Sequence, residues 1–443
     1  MSSSGGASRR PLWFSLATVA VIGAVAGGLV IGQSLDRPDP VTPPTGTPLP
    51  TRSVEDFVGS VGVNVHLSYR DTGYRDGRAV VAAVDELCIS HVRDNLAARP
   101  GANLPATYRQ LADHGIDVDL VVGSPGAQER LPEPTAALDW IRENDLAPTP
   151  VAAIEGPNEW DQRGGTDWAD EVVDYQQSLA SEVRSQGPSG VTLVAPSTSR
   201  TDRRSQLGDL STVTDVASNH DYPDAGPPDV PSGRQLEHAR GLVGDKPVWV
   251  TETGYQTSGQ TQNGQPPVTP HQQAVYLPRL VASSFAAGVE RTYLYELLDD
   301  PTGSDRQLQF GLMSADFDPK PAYSAMSRLL CTLREGTSGG PADPADAPDI
   351  WIDPVPAGVS TLALTGADGS AWLLSWRTEA AGRDADGSDA ATVPVQFTMD
   401  REVTVRSLDV TSNTTTTEVR VPAGSPHRID LGEGLVLTSL SPA

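Results

Sequence analysis

Basic residues are scarce in this sequence of 443 residues. Only 32 lysines and arginines stand against 57 acidic residues, which gives a net charge of −25. Such a field repels nucleic acid phosphates and anionic lipid head groups, so we expect no nucleic acid partner. It favours a neutral or cationic partner, or it serves only to keep an exported protein in solution.

Several motifs that mark common enzyme classes are also missing. The sequence has no Gly-rich dinucleotide fingerprint, no phosphate loop, no His-Glu-x-x-His and no Gly-x-Ser-x-Gly. Its seven histidines are scattered. Redox, nucleotide, metalloprotease and serine esterase chemistry therefore lack a starting residue, and we expect no cofactor and no catalytic metal. A structural calcium among the aspartates stays open.

The first 33 residues predict an export element. Arg9 and Arg10 precede an uncharged run, residues 12–31, which matches the about 20 residues that a helix needs to cross a bilayer. Positive residues before the run keep the N-terminus in the cytoplasm, so the rest of the chain is expected outside it. The length favours an uncleaved membrane anchor, while the Ala-Val-Ala at 24–26 leaves cleavage and secretion open.

Proline is concentrated in the segment after the apolar run. Prolines at 38, 40, 43, 44, 48 and 50 predict an extended linker over residues 34–56. We expect this linker to hold the following domains away from the membrane, which the chain contacts only through its N-terminal segment.

Residues 57–336 repeatedly pair a short apolar run with a longer amphipathic stretch, the pattern of parallel strands and covering helices. The strand candidates are 61–66, 91–95, 117–122, 151–155, 191–195, 216–220, 247–252 and 291–296. Helices are predicted between them, for example at 77–87, 167–185 and 271–287. Eight units favour an α/β fold of the (β/α)8 TIM barrel type over an open doubly wound sheet.

Residues 337–443 change to alternating strands separated by Gly, Asp, Asn and Pro, which predicts a small antiparallel β-sandwich. Strands are expected at 360–364, 371–376, 391–398, 403–410, 415–421 and 436–440. We expect this domain to pack on the barrel. A structural cap is favoured over a binding module, because no aromatic-rich face stands out.

The two cysteines, Cys88 and Cys331, fall near the ends of the first and eighth predicted helices. These helices become neighbours when a barrel closes, and an exported protein allows oxidation. A disulfide is favoured, with two buried free thiols as the alternative.

Two strands of the predicted barrel lead into glutamates at the face where such barrels carry their active sites. The fourth is followed by Asn158-Glu159, and the seventh ends at Glu252. Cleavage of a glycosidic bond needs one carboxylic acid for the leaving oxygen and one carboxylate for the oxocarbenium-like centre. The pair predicts glycoside hydrolysis.

In these motifs the sequence resembles clan A of the glycoside hydrolases, which are retaining barrel enzymes. The resemblance implies that Glu159 is the acid/base and Glu252 the nucleophile. It also implies that Arg93 holds the nucleophile, and that His220 and Tyr222 are the clan's strand-six pair. An arginine would keep Glu252 ionised, and a less polar setting would keep Glu159 protonated.

The remaining candidates would bind sugar. Asn158 is expected to donate to the 2-hydroxyl, and Trp160 and Tyr255 to stack on sugar rings, whereas Trp249 could equally be packing. Further residues lie at strand ends: Asn64, His66, Asn95 and Glu296. Many clan members carry tryptophan where Glu296 stands, and a surface salt bridge is its alternative role.

Together these features predict a monomeric, retaining glycosidase outside the cytoplasm. Its substrate would be a poly- or oligosaccharide, in the cell envelope or in the extracellular space. Two alternatives stay open: a non-catalytic carbohydrate-binding scaffold that keeps the barrel, and a transglycosylase with the same glutamates.

Overall fold

The computed structural model describes residues 46–123, 131–187, 189–228, 233–261, 264–300, 309–336, 347–352, 354–382 and 392–442. The predicted export element and residues 34–45 of the predicted linker lie outside these ranges. Within them, no helix has the length and apolar character needed to cross a membrane.

The first described elements correct the linker prediction. Strand β1 (Thr51–Ser53) and helix α1 (Val54–Gly59) occupy the end of the segment that was expected to be an extended spacer. Ser53 caps α1 by accepting a bond from the Asp56 N–H at 2.9 Å. Acidic residues at the start of this helix also suit its positive end. The folded part therefore begins before residue 57.

Eight parallel strands then form the barrel. They are β2 (Val61–Val65), β3 (His91–Asn95), β4 (Asp117–Val121), β5 (Val151–Glu155), β6 (Thr192–Val194), β7 (Ala217–His220), β8 (Val248–Thr253) and β9 (Arg291–Leu294). Their order in the sheet is β6-β5-β4-β3-β2-β9-β8-β7, and a parallel bridge between Val194 and Val216 joins its two ends. The barrel prediction is confirmed.

Helices cover the outside of this barrel. They are α2 (Gly77–Glu86), α3 (Leu104–Asp113), α4 (Pro134–Glu143), α5 (Trp168–Gln186), α6 (Gly233–Val243), α7 (Pro270–Ala286) and α8 (Pro321–Gly336). A 3-10 helix, Arg204–Leu207, stands between β6 and β7, where an eighth α-helix would complete the pattern. A capping box of Thr269 and Gln272 starts α7, with Pro270 at its first position.

The C-terminal region is the predicted two-sheet domain. Its strands are β10 (Ile350–Trp351), β11 (Val359–Thr365), β12 (Ala371–Arg377), β13 (Val393–Met399), β14 (Val403–Asp409), β15 (Thr414–Thr415), β16 (Val419–Val421), β17 (His427–Leu431) and β18 (Val436–Pro442). A three-stranded sheet of β10, β13 and β17 faces the larger sheet across a shared apolar core. The predicted strand at 415–421 is divided in two, and β10 and β17 were missed.

Strand β1 belongs to this domain although it precedes the barrel. It pairs in parallel with β11, so that Thr51 lies opposite Ala363. The Leu49 N–H also donates to the Ile350 carbonyl at 2.7 Å. Both ends of the described chain therefore contribute to the C-terminal domain.

The C-terminal domain packs on the helices of the barrel. Arg279 of α7 is 1% exposed and donates to the carbonyl oxygens of Glu379 and Glu433. The Ala381 N–H donates to the Tyr276 hydroxyl at 2.9 Å. These bonds satisfy loop carbonyls that the packing buries, and they fix the domain on the outside of the barrel.

The predicted disulfide is present between Cys88 and Cys331, whose Cα atoms are 5.3 Å apart. Cys88 follows α2 and Cys331 lies in α8, so the bond joins the first and last helices of the barrel.

Removing this cross-link should lower the free energy of unfolding by about 2–5 kcal/mol, because a long loop of the unfolded chain is released. Cys88→Ala, Cys331→Ala and the double variant should lose the same amount in denaturant titrations. The reduced unmodified protein is the control. Additive losses from the two single variants would show that packing, and not the bond, carries the stability.

Candidate active site

The two predicted catalytic glutamates come together at the mouth of the barrel. Glu252 lies near the end of β8 and Glu159 follows β5, and His220 ends β7 between them. One oxygen of each carboxylate and one ring nitrogen of His220 all lie within 4.8 Å of one another. The fold thus brings together residues that are far apart in the sequence.

The local backbone presents Glu159 to the mouth. Its φ and ψ angles of 50° and 37° lie in the left-handed region, which a residue with a side chain seldom adopts. Its N–H donates to the Ser197 carbonyl at 3.2 Å, and the Ser197 N–H donates to the Pro157 carbonyl at 3.1 Å. The turn that carries Glu159 is therefore fixed to the segment that follows β6.

Arg93 organises the site from β3, and it is 1% exposed. Its Nη1 donates to Glu252 Oε1 at 2.8 Å and to Asn64 Oδ1 at 2.9 Å. Its Nη2 donates to Asn158 Oδ1 at 2.7 Å. The contact with Glu252 is the one that the clan resemblance implies, and the same guanidinium also orients Asn158.

Glu155 is the partner of Arg93 that sequence reasoning missed. Its carboxylate accepts hydrogen bonds from Arg93 Nε at 2.6 Å and from Arg93 Nη2 at 2.9 Å, and it is fully buried. A signal was available: Glu155 ends a buried strand in phase with Ala153, which lines the barrel interior. A charged residue at such a position needs a buried partner of opposite charge.

Glu252 is held as an ionised carboxylate. Burial raises its pKa, but the charges of His220 and Arg93 and the bonds from Arg93 and Tyr222 outweigh this effect, so the pKa lies below its ordinary value. The Tyr222 hydroxyl donates to Oε2 at 2.9 Å. A carboxylate that stays ionised and points into the mouth can act as a nucleophile.

Glu159 has more access to solvent, with 22% of its side chain exposed. His220 Nδ1 lies 2.7 Å from Glu159 Oε1, and Gln162 Nε2 donates to Oε2 at 2.6 Å. Burial lowers the pKa of His220, yet Glu252 and Glu159 together raise it above the ordinary value. His220 therefore links the two carboxylates.

A second buried group lies beside this site and contains His66 and Glu296. His66 Nε2 is 3.2 Å from Glu296 Oε2, which also accepts from the Tyr74 hydroxyl at 3.2 Å. Burial raises the pKa of Glu296, although His66 and Tyr74 act in the opposite direction. Glu296 is 2% exposed, so its alternative role as a surface salt bridge is wrong.

The two asparagines differ in what they leave for a ligand. Asn64 donates its amide hydrogens to the carbonyls of Thr251 and Leu294 and is 1% exposed, so it holds Arg93 and not a sugar. Asn158 Oδ1 is occupied by Arg93 and by the Ser197 hydroxyl. Its amide hydrogens remain the donors that it can offer to a hydroxyl group.

The aromatic stacking predictions fail for both residues next to the glutamates. Trp160 is 3% exposed, packs on Trp168, and donates from Nε1 to Glu171 at 2.6 Å. Tyr255 is 1% exposed and packs on Tyr276. Because apolar packing covers both rings, neither presents an open face to a sugar. Trp249 is packing too, with the Arg291 guanidinium 4.1 Å from its ring.

A bound cation is the other arrangement to consider for the two glutamates and His220. Glu159, His220 and Glu252 each offer one atom that can coordinate a metal ion. Glu252 already accepts from Arg93 and Tyr222, however, so a metal would compete with a guanidinium. The geometry favours an acid and a nucleophile over a metal centre.

No family model and no curated protein matches this sequence. Solved structures do match in fold. A family 39 glycoside hydrolase from Bacteroides cellulosilyticus WH2 has a TM-score of 0.60 at 17% identity, covering 89% of this chain and 83% of its own. A monomeric β-xylosidase from Caulobacter crescentus CB15 has 0.57 at 14%, covering 90% and 97%.

The catalytic domain of a family 30 xylanase C from Talaromyces cellulolyticus is also similar, with a TM-score of 0.56 at 11% identity, covering 90% of this chain and 98% of its own. At such identities the likeness establishes the shared fold alone. Roles for individual residues must come from the geometry.

Removal of Arg93 should be costly, because it leaves Glu155 as an unpaired buried charge. We expect Arg93→Met to lower the free energy of unfolding by about 3–5 kcal/mol. Arg93→Met combined with Glu155→Leu should recover much of that loss.

Arg142→Met, which breaks the exposed pair with Asp139, is the control and should change stability little. Denaturant titration at neutral pH measures these three variants, Glu155→Leu alone and the unmodified protein. A double variant that is as unstable as the sum of its two single variants would contradict the pairing.

Proposed function

We propose that this protein is a retaining glycoside hydrolase, with Glu252 as the nucleophile and Glu159 as the general acid/base. The observation that carries the proposal is the approach of the two carboxylates, with one oxygen of each within 4.8 Å of the other. Retaining enzymes hold the two groups about 5–5.5 Å apart, whereas inverting enzymes need about 6.5–9.5 Å for a water molecule. This approach favours the retaining geometry over the inverting one.

In the first step, Glu252 attacks the anomeric carbon while Glu159 gives its proton to the departing glycosidic oxygen. The bond between sugar and aglycone breaks, and an ester between the sugar and Glu252 forms. Arg93 and Tyr222 hold Glu252 ionised and aimed before the attack. Asn158 would donate to the 2-hydroxyl, a bond that strengthens in the transition state.

In the second step, Glu159 takes a proton from a water molecule, which attacks the anomeric carbon and releases Glu252. The product keeps its original anomeric configuration, because two inversions have taken place. His220 lies 2.7 Å from Glu159 and 3.6 Å from Glu252. It can therefore support the carboxylate of Glu159 after the first proton has left.

The substrate class is a poly- or oligosaccharide. The neighbours in fold are described as a β-xylosidase, a xylanase and a family 39 hydrolase, which supports a pyranose sugar in the site. His66 and Glu296, which were predicted to bind sugar, are 4% and 2% exposed and pair with each other, so they carry no part of the substrate assignment. The predicted N-terminal anchor supports a glycan of the cell envelope or the extracellular space.

The decisive test is hydrolysis of a panel of plant, fungal and bacterial envelope polysaccharides and aryl glycosides by the full-length protein. New reducing ends should appear with the unmodified protein and with Glu290→Gln, whose side chain is exposed. Glu252→Gln should abolish turnover. Glu159→Gln should slow turnover by about 10²–10⁴-fold on unactivated substrates, because only the proton transfer is lost.

Other outcomes of this test would identify a different function. Binding of one polysaccharide without any cleavage by the unmodified protein would overturn the proposal in favour of a carbohydrate-binding scaffold. Products longer than the starting oligosaccharide would show transglycosylation by the same pair of glutamates.

A further inference from the structure

One buried acid of the barrel has no role in the reaction described above. Asp119 lies in the middle of β4, is 1% exposed, and is the register partner of Arg93 on β3. Partners in parallel strands point to the same side of a sheet, so Asp119 shares the barrel interior with Arg93. The groups whose charges act on it include Glu155 and Arg93.

Asp119 differs from the other buried acids near the site in its hydrogen bonds. Glu155 receives two bonds from Arg93, and Asp94 receives bonds from the Tyr108 hydroxyl and from two backbone N–H groups. Neither carboxyl oxygen of Asp119 has a partner among the described residues, and both are enclosed. A buried carboxyl without donors avoids ionisation by keeping its proton.

The charges around Asp119 also favour its protonated form. Burial and the negative charge of Glu155 raise the pKa of Asp119 to about 8, against the opposing effects of Arg93 and Arg291. The titratable groups around it come from three strands: Arg93 and His91 of β3, Glu155 of β5, and Arg291 and Tyr293 of β9.

Two of these groups stay uncharged near neutral pH. Burial lowers the pKa of His91 to about 3 and raises that of Tyr293. Burial raises the pKa of the half-buried Asp117, two residues before Asp119 on β4, against the opposing charge of Arg291. The state of Asp119 is therefore set by its burial, then by Glu155 and the two arginines.

The protonation of Asp119 affects the active site because the Arg93 guanidinium already has several hydrogen-bond partners. Its guanidinium already bonds to Glu155, Glu252, Asn64 and Asn158. A third negative charge beside it, on Asp119, would attract the guanidinium toward the barrel interior. Any such displacement loosens the bond that orients the nucleophile.

We propose that Asp119 is a positioning residue that acts as a neutral carboxylic acid. When protonated, it leaves the Arg93 guanidinium to Glu155 and Glu252, and when ionised, it draws that guanidinium away from Glu252. The inference rests on the proposed function for its consequence in catalysis, but not for the protonation of Asp119 itself.

The protonation is tested without any substrate. A carboxyl with a raised pKa in the folded state stabilises the fold at low pH, and this stability is lost as pH rises through the folded pKa. From about pH 5 to pH 8, the unfolding constant of the unmodified protein should therefore rise about tenfold per pH unit relative to Asp119→Asn. Asp119→Ala should give the same relative slope, even if its cavity makes it less stable throughout.

Asp117→Asn, the same substitution on the same strand, is the matched control. Because burial also raises the pKa of Asp117, this variant should lose slope only at the acidic end of the range and keep the slope of the unmodified protein toward pH 8. Equal pH slopes for Asp119→Asn and the unmodified protein would overturn the inference, because Asp119 would then be ionised in the folded state.

The positioning role is tested by the rate at which a dinitrophenyl 2-deoxy-2-fluoroglycoside labels Glu252. Dinitrophenolate departs without a proton from Glu159. A fall in the labelling rate at alkaline pH therefore reflects the ionisation of a group other than Glu159. Between about pH 7 and pH 9, labelling should slow about tenfold in the unmodified protein and stay nearly constant in Asp119→Asn. An equal loss in both proteins would overturn the role.

If no glycoside labels the unmodified protein at any pH, the proposed function fails. The unfolding titration still decides the protonation of Asp119 in that case, so the two failures can be distinguished.

Discussion

The active site depends on the hydrogen bonds that one buried guanidinium makes to two carboxylates. Arg93 bonds to Glu155 through two nitrogens and to Glu252 through a third contact, and the same group orients Asn158. Buried charges persist only when they are paired and hydrogen-bonded, so these residues must be placed together. The barrel meets this demand because β3, β5 and β8 end at one face.

Much of this arrangement could be predicted from the sequence. Periodic apolar runs predict the strands, and the order of strands in a barrel then brings Glu159 and Glu252 to the same mouth. The disulfide followed from the same reasoning, because the first and last helices of a closed barrel are neighbours. For the strands, the two glutamates and the disulfide, the sequence pattern and the fold agree.

Other features depend on contacts that a sequence pattern does not contain. Trp160 and Tyr255 follow the glutamates and looked like sugar platforms, but packing against Trp168 and Tyr276 covers them. Strand β1 is only three residues long and pairs with a strand that lies far along the chain. Its register comes from the tertiary fold, and the prolines before it favour an extended spacer when read alone.

The central claim is that Glu252 forms a covalent bond to the sugar, and the stereochemistry of the product tests it most directly. Proton NMR can follow the anomeric signals during the first minutes of hydrolysis of a substrate found in the glycan panel. The account predicts a first product with the anomeric configuration of the substrate. A first product of the opposite configuration would show direct attack by water and would contradict the assignment of Glu252 as a nucleophile.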